Sequence, residues 1–146
     1  MKKYLINIGL LLAVGLMSSC KKDPQPLAEQ IAKVWSAQTV REGSTVVYTK
    51  GVANNPKPAY DRFRLDLSSP TAARLTEFDG TVFSGTWELV NDKTLMLKGL
   101  NPQPTGTTGT LEYSVQTAST TELKLSRTTA SLKTGGTVND YSLITP

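Results

Sequence analysis

Histidine is absent from this 146-residue chain, and cysteine occurs once, at Cys20. The first absence removes the commonest general base, the commonest metal ligand and any Ser-His or Cys-His nucleophile pair. The second rules out an internal disulfide. Charge of one sign is also scarce: the formal net charge is +4, and Lys2 and Lys3 sit in an N-terminal segment expected to be removed. The remaining basic residues are scattered rather than clustered, so no nucleic-acid partner is expected. The carboxylates show no D-x-D-x-D spacing for calcium, and no Ser-x-x-Lys nucleophile motif stands in a helical context. An acid–base pair would have to draw on Asp61, Asp66, Glu77, Asp79 and Glu88. Asp66 and Glu88 fall on polar strand faces and Asp79 in a turn, where carboxylates are solvated. No catalytic residue, metal or cofactor is expected, and the chain is read as a non-enzyme.

Long apolar runs are missing, with one short exception. Leu5 to Met17 is apolar apart from Asn7, Gly9 and Gly15, and it follows the positive pair Lys2-Lys3. The run is too short to span a bilayer comfortably as a permanent helix and has the anatomy of a secretory signal. Ser18-Ser19 then precede the lone Cys20, and Lys21-Lys22-Asp23 follow it. This pattern resembles a bacterial lipobox. The resemblance implies cleavage before Cys20, diacylation of its thiol and acylation, palmitate among the chains, of its new amine. Two or more acyl chains hold a protein on a membrane, whereas one gives only marginal binding. No aspartate directly follows Cys20, so an inner-membrane retention signal is lacking and the outer membrane is expected, on its periplasmic face or at the cell surface. The chain therefore divides into a signal peptide (1–19), a lipidated tether (20–26) and one β-domain (27–146), a length that suits a single core.

Within that domain, Asp79 to Gly99 organises the rest. After an Asp-Gly turn, Phe83, Gly85, Trp87 and Leu89 alternate with Ser84, Thr86 and Glu88. Asn91-Asp92-Lys93 turns the chain, and Leu95 and Leu97 resume the period of two. This is a hairpin with one apolar face, and an isolated hairpin is not stable in water. Further strands are expected at 35–41, 45–50, 60–67, 73–78, 110–117, 122–129 and 138–144, several with clean in–out alternation. Leu27, Ile31 and Val34 place a short helix over 26–34, closing one end. Two longer loops, 51–59 and 100–109, are expected to be mobile at the domain's ends. Short turns between neighbouring strands predict an all-β fold: an antiparallel up-and-down barrel of about eight strands. A two-sheet β-sandwich is the alternative.

A lipobox, a short helix, a strand carrying Trp35, the Phe83-Ser84-Gly85-Thr86 run leading to Trp87, and repeated L-x-L strands together resemble the small lipocalin-like lipoproteins of Bacteroidota-type bacteria. Lipocalins carry G-x-W at their first strand, where this chain reads Lys33-Val34-Trp35. They also carry a basic residue late in the barrel that covers that tryptophan, a structural role the resemblance gives to Arg127. What the resemblance implies is a barrel and an apolar ligand; the inward strand faces make Trp35, Phe63, Phe83, Trp87 and Tyr113 the candidate lining residues, with entry expected opposite Trp35. The alternative is an envelope module that binds a protein or glycan, with a filled core and no small ligand. The volume inside the barrel separates the two.

Overall fold

A computed structural model describes residues 23–146. The signal segment and the lipidation expected at Cys20 lie outside the described residues. The chain opens with α1 (Leu27–Ile31), started by Pro26, whose carbonyl accepts from the Glu29 and Gln30 amides. The helix is shorter than its apolar stripe suggests. Val34 and Trp35 leave it to pair with Asp66 and Leu65 of a strand.

Nine strands come after it: β1 (Val34–Glu42), β2 (Thr45–Thr49), β3 (Arg64–Asp66), β4 (Ala72–Thr76), β5 (Val82–Val90), β6 (Thr94–Asn101), β7 (Leu111–Ala118), β8 (Glu122–Arg127) and β9 (Asn139–Ile144). All pairings are antiparallel, and β9 returns to β1 to close the sheet on itself. β2 and β3 lie end to end on one edge of β1: Glu42 to Thr39 face Thr45 to Thr49, and Ser36 to Val34 face Arg64 to Asp66. They act as one interrupted strand, so the barrel has eight staves in up-and-down order. The sandwich alternative does not apply.

The interruption corrects one expected strand. Tyr60 and Phe63 are both buried, three residues apart, and that spacing is the period of a 3-10 turn rather than of a strand. Pro58–Arg62 forms that turn, with proline at its start. Its Tyr60 ring packs 4.8 Å from Phe78 and 6.3 Å from Tyr48, centroid to centroid. The preceding loop is pinned rather than mobile. The Asn55 side-chain amide pairs with both backbone groups of Thr49, and the Lys57 amide donates to the Val47 carbonyl. The outer edge of β2 is thereby capped, which blocks pairing with another chain. The second long loop is likewise tied, by Leu100 N–H to the Gly109 carbonyl and by Thr107 to the Pro104 carbonyl.

The hairpin at Asn91-Asp92 has both residues at positive φ (51° and 55°) and a bond from the Lys93 amide to the Val90 carbonyl. That is a type I′ turn, whose twist matches the strands it joins. The ends of the barrel differ. α1 and the turns at 67–71, 91–93 and 119–121 form a floor, where the fully buried Trp35 donates its indole N–H to the Ile31 carbonyl at 2.9 Å. The turns and loops at 43–44, 77–81, 102–110 and 128–138 surround the mouth.

Candidate functional site: the barrel interior and its mouth

The five residues proposed to line the barrel all point inward and are buried. Trp35 and Trp87 lie toward the floor, and the Trp87 indole donates to the Ser69 carbonyl at 2.8 Å. Phe63, Phe83 and Tyr113 lie above them. Tyr141 of β9 joins this upper layer, stacked on Phe63 at 4.9 Å and edge-on to Tyr113 at 6.1 Å. Tyr141 and Leu143 alternate with Asp140 and Ser142, so the strand pattern already carried the signal that Tyr141 faces inward.

These side chains form a solid. Twelve large residues, among them Trp35, Leu65, Leu75, Phe83, Leu95, Leu97, Leu111, Leu123 and Leu125, are less than 2 % exposed. A void wide enough for water would expose the groups around it. The concavities that mark the described surface are open to solvent; one reaches Leu125 and Tyr141 and another Trp87 at the column's edge, and none is lined by the column as a whole. One of them, about 420 Å³, runs over the outer face of β7, β8, β9 and β1 between Gln116, Lys124, Ser126, Asp140, Thr39 and Arg41. Irregularities in β1 (Ala37/Thr39) and β7 (Val115/Thr117) flank it, and such bulges re-aim side chains.

Above the apolar column sits a polar rim. Glu42 accepts from the Tyr60 hydroxyl at 2.8 Å and pairs with Lys57. Asn139 accepts from Thr137 and Thr134 and donates to the Tyr141 hydroxyl. The 128–138 segment crosses the rim, and its Lys133 ammonium lies 2.7 Å from Glu77, 2.8 Å from Asp79 and 5.2 Å from the Phe83 ring centroid. Burial pushes all three rim phenols up: Tyr60 and Tyr113 stay protonated at any ordinary pH, and Tyr141 rises to about 12.

Arg127 shares the inward face of Leu123 and Leu125, but it does not cover Trp35. Its neighbour Ser126 is level with Asp140, and Asp140 with Arg41. Trp35 lies about six residues down β1, roughly 20 Å away at the strand rise. The cause is chain direction. β8 climbs from the floor and ends at the mouth, whereas β1 starts at the floor. The cation near Trp35 is Lys33, 6.0 Å from the ring centroid.

The Lys133 latch has a defined pH range. Partial burial raises the Asp79 pKa, but the Lys133 and Thr81 hydrogen bonds outweigh it and bring it to about 2, from 3.8. For Lys133, burial works downward and is outweighed by Asp79 and Glu77, so its pKa rises. A depressed carboxylate stabilises the fold above its unfolded pKa and loses that contribution as pH falls through the folded one. The stability gap between the wild type and Asp79→Asn should therefore be constant near neutral pH and close progressively between about pH 5 and pH 1. Thermal melts across that range check this, and a gap indifferent to pH would remove the latch. The effect is small, because Asp79 is well exposed.

Among the described residues no group of three or more potential metal ligands occurs, and no helix is long and apolar enough to cross a membrane. No protein-family model matches the chain, and no curated protein matches it significantly. In structure it is similar to a lipocalin-like protein from Bacteroides uniformis ATCC 8492, solved at 1.79 Å resolution. The TM-score is 0.48 and the identity 15 %, over 80 % of this chain and 99 % of that one. The strand pairing settles the architecture. The chain folds as a closed, antiparallel up-and-down barrel of eight staves. As expected from the sequence, the barrel carries a short N-terminal helix.

Proposed function

We propose that the protein is a lipid-anchored lipoprotein of the bacterial outer membrane, and that its lipocalin-like barrel is a non-enzymatic module binding an envelope protein or glycan through its outer surface. The observation that carries this reading is the filled interior. A small-molecule site needs roughly 300 Å³ or more, and the dry column under the mouth has no such space. The outer groove does, and its largely apolar floor bordered by Arg41, Lys124 and Asp140 suits an amphipathic partner. Anchoring is supported by the lone Cys20 behind two serines and an apolar run.

A small apolar ligand inside the barrel is the second reading. The barrel fold favours it, as do the aromatic rings of Phe63, Phe83, Tyr113 and Tyr141 below the mouth. It requires the 128–138 segment to lift and interior side chains to move. Titrating the full chain in detergent with palmitate, followed by tryptophan fluorescence, separates the two. No saturable response is expected, and a one-to-one saturable change would put the carrier reading first. For the anchor, Cys20→Ser should release the protein from the membrane fraction, and mass spectrometry of the wild type should find an acylated Cys20 as first residue. An unchanged membrane fraction would sink that part.

A further inference from the structure

Around the rim, the acidic and amide groups are engaged. Glu42 holds Lys57 and Tyr60, Glu77 and Asp79 hold Lys133, and Asn139 holds Thr134, Thr137 and Tyr141. Two groups fall short of this: Glu77 Oε2, which has the Lys133 ammonium at 2.7 Å but no aligned hydrogen bond, and Arg127. Arg127 is 5 % exposed, its Nε–H is buried without a hydrogen-bond partner, and no carboxylate pairs with it among the described residues. A guanidinium cannot shed its charge. A buried charge left unpaired is strongly unfavourable, and an unsatisfied buried donor in a folded protein signals a missing water, ion or ligand.

We infer that Arg127 is an anion site at the barrel mouth, built to take the carboxylate of a small organic acid. The planar fork of a guanidinium matches a carboxylate with two parallel hydrogen bonds. Tyr113, directly across the ladder from Arg127, keeps its phenolic proton and offers a further donor. The stacked Phe63 and Tyr141 rings give the site an apolar side. The packed column below leaves little room behind the carboxylate, so a short acid fits and a long tail does not. The 128–138 segment, latched by Lys133, covers the approach and has to lift for entry. This site is independent of any partner on the outer groove.

The test uses the full chain in detergent micelles, titrated at constant ionic strength with sodium acetate, sodium dodecanoate or sodium chloride. The Arg127 Nε–H resonance is monitored by two-dimensional NMR, and binding by calorimetry. Acetate should shift that resonance saturably. Arg127→Met, which keeps the bulk and removes the fork, should weaken acetate binding by about tenfold or more. If dodecanoate binds more tightly than acetate at the same resonance, the carboxylate belongs to a fatty acid and the column opens to admit its chain, which overturns the short-acid assignment. Chloride acting as well as acetate would overturn the carboxylate assignment. An Arg127 resonance unmoved by either carboxylate would overturn the site, whether or not Arg127→Met folds.

Discussion

Trp35→Ala should destabilise the barrel by about 3–5 kcal/mol, the range for emptying a fully buried large aromatic position. Trp35 has no solvent exposure and sits where three structures meet: α1 through the Ile31 carbonyl, β3 through its pairing with Leu65, and the floor of the core. Removing the ring leaves a cavity that the closed ladder cannot collapse to fill, and it takes away one of the two donors to the Ile31 carbonyl, which keeps the Lys33 amide. Trp35→Phe isolates the second effect, since it keeps most of the apolar volume but loses the indole donor, at about 0.5–1.5 kcal/mol for one hydrogen bond. Urea melts at constant slope measure both. A loss below about 1 kcal/mol for the alanine variant would mean that the floor is open and α1 is not part of the core. Trp87→Ala should come close to the same range, somewhat reduced because its ring borders the hollow of about 220 Å³ beside Ala28, Ala32 and Pro70.

Gly85→Ala is the second large effect, although it adds a single methyl group. A Cβ at Gly85 would stand 2.4 Å from the Lys98 carbonyl oxygen and 3.1 Å from the Leu100 side chain. The first of these is backbone and cannot rotate away. The pairing explains the crowding: Ser84 faces Asn101 and Thr86 faces Lys98, so Gly99 and Leu100 together oppose Gly85. Gly99 has φ of 59°, the left-handed residue of a bulge. One glycine supplies the bend and the other accepts the approach it creates. Overpacking typically costs about 1–3 kcal/mol, and a clash with backbone belongs at the upper end. A Gly85→Ala variant as stable as wild type would show that the β5–β6 ladder slides to accommodate it.

The strands were legible because their side chains alternate, and alternation states a face directly. Phe83, Trp87, Leu95, Leu97, Leu123 and Leu125 all lie where the period of two puts them. What alternation does not state is height along the barrel. Arg127 has the right face, but its level depends on strand direction and register across β8, β9 and β1, which is why its pairing with Trp35 failed. The same limit hid the rim. Glu42, Glu77 and the run holding Arg127, Lys133 and Asn139 come from three separate stretches, and only the strand order and register bring them to one end. Tyr60 misled for a different reason: Tyr60 to Leu67 reads as a strand by composition, and the three-residue spacing of Tyr60 and Phe63 is visible only once both are known to be buried. Ser36 and Ile144, joined across the closing seam, stand 108 residues apart.

That seam has a kinetic meaning. β1 is the first strand to be made and β9 the last, so the pairing that closes the ring has to wait for the whole domain. Contacts of such long sequence separation are slow to form, because loop-closure entropy is spent before they contribute. Until then β1 and β9 both present unpaired backbone, the condition in which β-chains join one another. A chain that crosses a membrane before folding meets this interval on the far side, and the yield of the closed form there depends on how well its two waiting edges are kept apart from those of other copies.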